Sequence, residues 1–120
     1  MAISLNYSIL PSFAFSFLIV GPPLLTTVLE DQYINMKESC SCKIEVTSKL
    51  DVHTIWYLDE EILKSGENIV LSHDESARVY NLLIKSVPQE FAGKLTAVVQ
   101  NKAGSTSTTC AIHVNSMLFW

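Results

Sequence analysis

Three observations in this sequence predict an all-β fold with its strands stacked as a sandwich. Apolar residues recur at every second position in several short runs, turn-forming clusters separate the runs, and no stretch keeps a helical period for longer than a turn or so. About seven or eight short strands in a chain of 120 residues bury their apolar faces most simply as two packed layers. Barrels with similar strand numbers exist, and the runs alone put the sandwich ahead of the barrel without deciding between them.

The elements read in order as follows. Pro22-Pro23 opens the patterned region, and between Tyr33 and Val46 the apolar residues Ile34, Met36, Cys40, Cys42, Ile44 and Val46 all share even parity. Ser39, Ser41, Lys43 and Glu45 occupy the positions between, so one face is apolar and the other wet. Thr47 to Asp51 is turn-like, and His53 to Leu58 is a strand around Trp56. Asp59-Glu60-Glu61 forms an acidic turn, after which Ile62 and Leu63 are expected to return to the core. Lys64 to Asn68 is a loop with Gly66, Ile69 to Ser72 a short strand, and His73 to Ala77 a polar turn. Tyr80, Leu82 and Ile84 restore period two, and Ser86 to Ala92 connects to the last pair of strands. In that hairpin Leu95, Ala97 and Val99 alternate with Thr96, Val98 and Gln100; the run breaks at Asn101 to Gly104 and resumes from Thr106 to Val114.

Composition narrows the function classes. With 48% apolar and 17% charged residues, the chain belongs with globular proteins and is long enough for one core. Its net charge of -4, a pI near 5.2 and the absence of any basic cluster leave no electrostatic footprint for nucleic acid or an anionic membrane. Every Lys, Arg, Asp and Glu lies between Glu30 and Lys102. Residues 1–21 form an apolar leader for which three readings exist. As an export signal it lacks a Lys or Arg before Ile9 to Val20, is interrupted by Pro11, and has Pro22-Pro23 after Gly21 where a small-residue cleavage site belongs. A membrane span needs roughly 20 uninterrupted apolar residues, and Pro11, Ser12, Ser16 and Gly21 break the stretch. The adopted expectation is a leader outside the folded unit, either disordered or an artefact of the reading frame.

From Pro22 to Val114 the sequence resembles an immunoglobulin-like domain of the I-set type. Trp56 in "TIWYLDEEIL" is similar to the strand C tryptophan of that family, and "YNLLIKSV" at 80–87 to strand E, with Leu82 and Ile84 inward. "LEDQYINMKES" at 29–39 resembles the lead from strand A' into strand B. "EFAGKLTAVVQNKAGS" at 90–105 resembles the strand F and G hairpin, and Gly93, Asn101 and Gly104 stand at its family positions. The resemblance implies a Greek-key sandwich of about seven to nine antiparallel strands. Three departures stand out. Phe91 or Ala92 replaces the usual Asp, Leu95 replaces the corner tyrosine, and Ala97 replaces the strand F cysteine.

Two registers compete for the strand B cysteine. If Cys42 occupies it, thirteen residues precede Trp56 and Glu38 faces inward; if Ile44 does, eleven residues precede Trp56, the more typical spacing. The second register is preferred and puts Cys40 and Cys42 at inward sites. In both, the partner position is Ala97, so the family's inter-sheet disulfide cannot form. The resemblance then implies a structural core in which Trp56 packs over Ile44 and Ala97, with Leu82, Ile84 and Leu95 around them.

Cys40, Cys42 and Cys110 are expected to be free thiols acting as small buried hydrophobes. Cys40 and Cys42 lie two apart on one strand face, a poor geometry for bridging each other. A metal site from these two and a histidine is the sharper alternative, but CxC without a second pair is a weak motif, and His53, His73 and His113 fall on three different elements. No nucleophile elbow, phosphate loop, HExxH or EF-hand spacing occurs, so neither enzyme chemistry nor a cofactor is expected. Asp59, Glu60 and Glu61 read as a solvated strand connection, and the binding surface is unassigned. A single sequon at Asn6 matters only if the chain is exported.

Unpaired buried thiols without the family's bridge suit a reducing compartment. The resemblance to the intracellular giant muscle proteins, the titin, twitchin, kettin and obscurin group, implies a cytoplasmic structural and protein-binding module. Its expected partners are neighbouring immunoglobulin or fibronectin-type domains in a longer sarcomeric or cytoskeletal chain, together with other cytoskeletal proteins. A secreted or cell-surface recognition domain using residues 1–21 for export is the alternative, and a regulatory domain of a twitchin-like giant kinase a second one. The expected folded unit is 22–114, with residues 115–120, "NSMLFW", as a tail.

Overall fold

In a computed structural model, residues 21–76 and 78–116 are described. They form β1 (Leu24–Thr27), β2 (Gln32–Asn35), β3 (Cys40–Thr47), β4 (His53–Leu58), β5 (Glu61–Ile62), β6 (Ile69–Asp74), β7 (Val79–Ile84), a 3-10 turn (Gln89–Phe91), β8 (Gly93–Asn101) and β9 (Gly104–Asn115). One sheet has the order β1-β3-β7-β6 and the other β2-β9-β8-β4-β5. All neighbours run antiparallel except β2 and β9. The leader through residue 20 and tail residues 117–120 lie outside the described residues.

Alternation along each strand builds the inner faces. On β3 the side chains of Cys40, Cys42, Ile44 and Val46 are buried. They pair across to β7 as Cys40 with Ile84, Cys42 with Leu82 and Ile44 with Tyr80, all apolar bodies on one side of the sheet. The facing sheet supplies Trp56 from β4, Leu95, Ala97 and Val99 from β8, and Cys110 and Ile112 from β9. Trp56 lies directly opposite Ala97 on β8. No polar or charged residue is buried among those described, so this core is held by apolar contact.

Four details differ from a plain reading of periodicity. The first edge is divided between the sheets: β1 pairs with β3 and β2 with β9, the chain crossing at Val28 to Asp31. Buried Leu29 anchors that crossing, its amide donating to Thr108 Oγ1. Ile62 was expected in the core but is 55% exposed, because β5 is a two-residue edge strand; only Leu63 packs against the core. The strand from Ile69 continues to Asp74, since its pairing with β7 runs on through Asp74 and Val79. Finally, Phe91 is buried in the 3-10 turn.

The chain enters and leaves at opposite ends. Gly21 is bonded at the β8–β9 turn through Asn101 Nδ2, whereas the Asn115 carbonyl accepts the Met36 amide at the other end, where β2 stops.

Candidate functional site

The inward-facing residues around Ile44, Trp56 and Ala97 are enclosed. Ile44 and Ala97 are each 0% exposed and Trp56 3%, with Leu82, Ile84 and Leu95 also at 0%. A branched aliphatic residue suits the middle of β3, where β-branching fits a pleated surface and the inward position supplies burial. Leu95, on the inner face of β8, supplies apolar contact and no hydroxyl.

The three cysteines are all buried and all free. Cys40 Sγ and Cys42 Sγ lie 3.9 Å apart on the inner face of β3, against about 2.05 Å for a disulfide. Their contact is a shared hydrogen bond. It lowers Cys40 from the ordinary thiol value against the opposing effect of burial, and it raises Cys42 together with burial and the charge of the Cys40 and Cys110 sulfurs. Cys110, on β9, is pushed up to about 11 by burial, with the Asp31 carboxylate and Cys40 adding to it. Raised thiols make Cys42 and Cys110 poor nucleophiles, while the lowered Cys40 thiol is buried on the inner face of β3. Among the described residues no group of three or more His, Cys, Asp or Glu could hold a metal.

The hairpin residues act through contacts that periodicity does not reveal. Asn101 Oδ1 accepts the amides of Ala103 and Gly104, closing the turn, while its Nδ2 donates to the Gly21 carbonyl and to Ser48 Oγ. One side chain thus ties the β8–β9 turn, the β3–β4 loop and the start of the domain together. Gly104 has φ +155, and a Cβ there would stand 3.0 Å from Pro22 Cγ. At the other end, Asp59 adopts φ +56 and latches onto the start of β8: its amide donates to the Lys94 carbonyl at 2.7 Å, and its Oδ1 accepts the Lys94 amide at 3.0 Å. A Cβ on Gly93 would meet Asp59 Oδ1 at 2.8 Å, so the glycine makes room for the latch. Asp59 is therefore a structural clasp; the sequence reading missed this, the only hint being an Asp, which tolerates positive φ, directly after a strand.

The surface has two concavities of note. One, beside the acidic turn, is lined by Leu58, Asp59, Glu60, Glu61, Glu90 and Lys94. A cleft of about 320 Å³ opens between β4 and the β6–β7 edge, lined by residues that include Thr54, Trp56, Leu71, His73 and Tyr80. His73 stacks on Tyr80 and lies 3.4 Å from Glu75. On the outer face of the five-stranded sheet, Tyr33 is 76% exposed and stacks flat on His113.

Residues 23–114, which span both sheets, match the family model of the immunoglobulin I-set domain. The chain belongs to the immunoglobulin I-set family. It is 28% identical over 98 residues to a striated muscle preferentially expressed protein kinase of Danio rerio, a match covering 82% of this chain and 3% of that protein. It is 32% identical over 77 residues to titin of Drosophila melanogaster, covering 64% of this chain and, to the nearest per cent, 0% of titin. The I-set chain thus spans a very small part of each relative. Among solved structures, one chain of the complex of titin M10 with an obscurin-like 1 immunoglobulin domain superposes with a TM-score of 0.76 at 17% identity, covering 82% of this chain and 98% of that one. These matches describe an immunoglobulin module of the structural and binding kind, similar to those of titin and a muscle kinase. Among the described residues no helix is long and apolar enough to cross a membrane.

Proposed function

We propose that this I-set domain is a non-catalytic link in a longer intracellular chain of the muscle filament type, where it transmits tension and docks neighbouring proteins. The folded unit in this reading is residues 22–114 together with Gly21 and Asn115, which are bonded to it, and the rest of the leader and tail lies outside it. The observation that carries the reading is the pair Ile44 and Ala97, both fully buried, in a core that also holds three free thiols. A domain held by packing alone, with its cysteines reduced, is suited to the cytoplasm. Entry and exit at opposite ends suit a tandem array, in which adjacent immunoglobulin or fibronectin-type domains abut the Asn101 turn on one side and the Asn35–Asn115 end on the other. The partner class is supported by analogy with the complex of titin M10 and an obscurin-like 1 immunoglobulin domain, one chain of which superposes on this domain.

Sequencing the transcript on both sides of this frame tests the proposal: further I-set units in phase are expected. An isolated frame whose leader is cleaved on export, with glycan at Asn6, overturns it in favour of a secreted recognition domain.

A further inference from the structure

Of the three tyrosines among the described residues, one stands clear of the fold. Tyr33 is 76% exposed, whereas Tyr80 is buried and Tyr57 half-buried. A phenol with most of its surface in water contributes little burial of its own. Its strand, β2, is four residues long and forms an edge of the five-stranded sheet, pairing with β9 alone. One side of this extended backbone is therefore free of any strand among the described residues. Two exposed carboxylates, Glu30 and Asp31, stand third and second before the tyrosine, and no Lys or Arg precedes it anywhere in the sequence. On β9 the ring of His113 lies flat against the phenol, with centroids 4.5 Å apart. That pairing falls two residues before β9 ends at Asn115.

We propose that Tyr33 is a phosphorylation site for a tyrosine-specific protein kinase, with MgATP as the phosphoryl donor. The phenol oxygen attacks the γ-phosphorus and the bond from that phosphorus to the β,γ-bridging oxygen breaks. ADP leaves, and the phenol proton passes to the kinase's catalytic carboxylate. Kinases select substrates by charge pattern, and Glu30 with Asp31 answers a substrate cleft lined by basic residues. Ile34, the residue after the acceptor, is 8% exposed, so full engagement lifts β2 from β9. Little holds it there: a ladder of four residue pairs, the Met36 amide donating to the Asn115 carbonyl, and the Ala111 amide donating to Asp31 Oδ1. A short edge of this kind opens far more readily than the whole domain unfolds. The phosphate takes the formal net charge from -4 to about -6. It meets repulsion from Glu30 and Asp31, offset by His113 whenever that ring carries a proton, and it changes the charge of the end where the chain leaves the domain. The inference goes beyond the tandem-array reading and holds whether or not that reading stands.

The test incubates the purified, folded chain with MgATP and the catalytic domain of a tyrosine kinase that selects acidic residues before its acceptor. A synthetic peptide of residues 28–38 is the unfolded reference. The expected result is one phosphate per chain, mapped to Tyr33 by mass spectrometry. It should enter at no less than about a thousandth of the peptide's rate, because opening one edge strand costs less than unfolding the domain. Tyr33→Phe keeps the ring and its stack on His113 and should abolish incorporation. Glu30→Lys, at an exposed position, should slow phosphorylation of Tyr33 about three- to tenfold in chain and peptide alike. Phosphate on another tyrosine in place of Tyr33 overturns the proposal, as does incorporation that survives Tyr33→Phe. A rate below about a thousandth of the peptide's also overturns it, since the kinase then reaches only globally unfolded chains. So does a peptide that the kinase ignores, or a rate unchanged by Glu30→Lys, because the carboxylates then select nothing.

Discussion

Replacing Ile44 by alanine measures how much of the domain rests on the seam. Ile44 is 0% exposed at the middle of β3, so the substitution removes three fully buried carbons. At about 0.8 kcal/mol per methylene the lost burial is roughly 2.4 kcal/mol. If the surroundings leave about 50 Å³ unfilled, the cavity adds roughly 1.2 kcal/mol at about 24 cal/mol per Å³. The total, about 3.6 kcal/mol, is a large share of the 5–15 kcal/mol typical of a domain. With a urea slope of about 1.5 kcal/mol per molar, the unfolding midpoint falls by roughly 2.4 M. Ile44→Val removes one methyl and should cost about 1 kcal/mol. Equilibrium urea unfolding of the three proteins, followed by Trp56 fluorescence and far-ultraviolet circular dichroism, gives the comparison. A loss below about 1 kcal/mol for alanine would refute the claim that packing at Ile44 takes the place of a staple.

Further outcomes follow from other parts of the molecule. Gly93→Ala forces a Cβ against the Asp59 carboxylate at a positive φ and should cost about 1–3 kcal/mol in thermal unfolding, with part recovered when Asp59→Ala is combined with it. Thr54→Val removes the orphaned hydroxyl at nearly constant shape and should leave the free domain as stable or about 1 kcal/mol more stable. At alkaline pH the raised Cys110 thiol keeps its proton in the folded state after the unfolded chain has lost it. Its contribution is therefore complete below the ordinary value of 9.0 and is lost as pH rises toward about 11. Urea midpoints measured from pH 8 to pH 11 should fall across that window, and Cys110→Ala should flatten the fall.

The sandwich was legible because parity is unambiguous where a strand is long and one-sided. Cys40 to Val46 and Leu95 to Val99 each present one unbroken apolar face, and each forms an inner face in the structure. Short edges carry too little pattern to read. Four residues of β1 and four of β2 cannot reveal that they belong to different sheets, and Ile62 looks like core until β5 proves to be two residues long at an edge. The hairpin positions Gly93, Asn101 and Gly104 were visible through family spacing, but their causes lie elsewhere in the chain: in Asp59, in Ser48 with Gly21, and in Pro22.

Thiol counting on native protein purified without reductant tests most directly the claim that this I-set domain is held by packing alone. Three free thiols per chain after denaturation are predicted, together with unfolding curves that coincide with and without reductant. Fewer than three, or a midpoint that falls when reductant is added, would contradict the account by exposing an internal bridge.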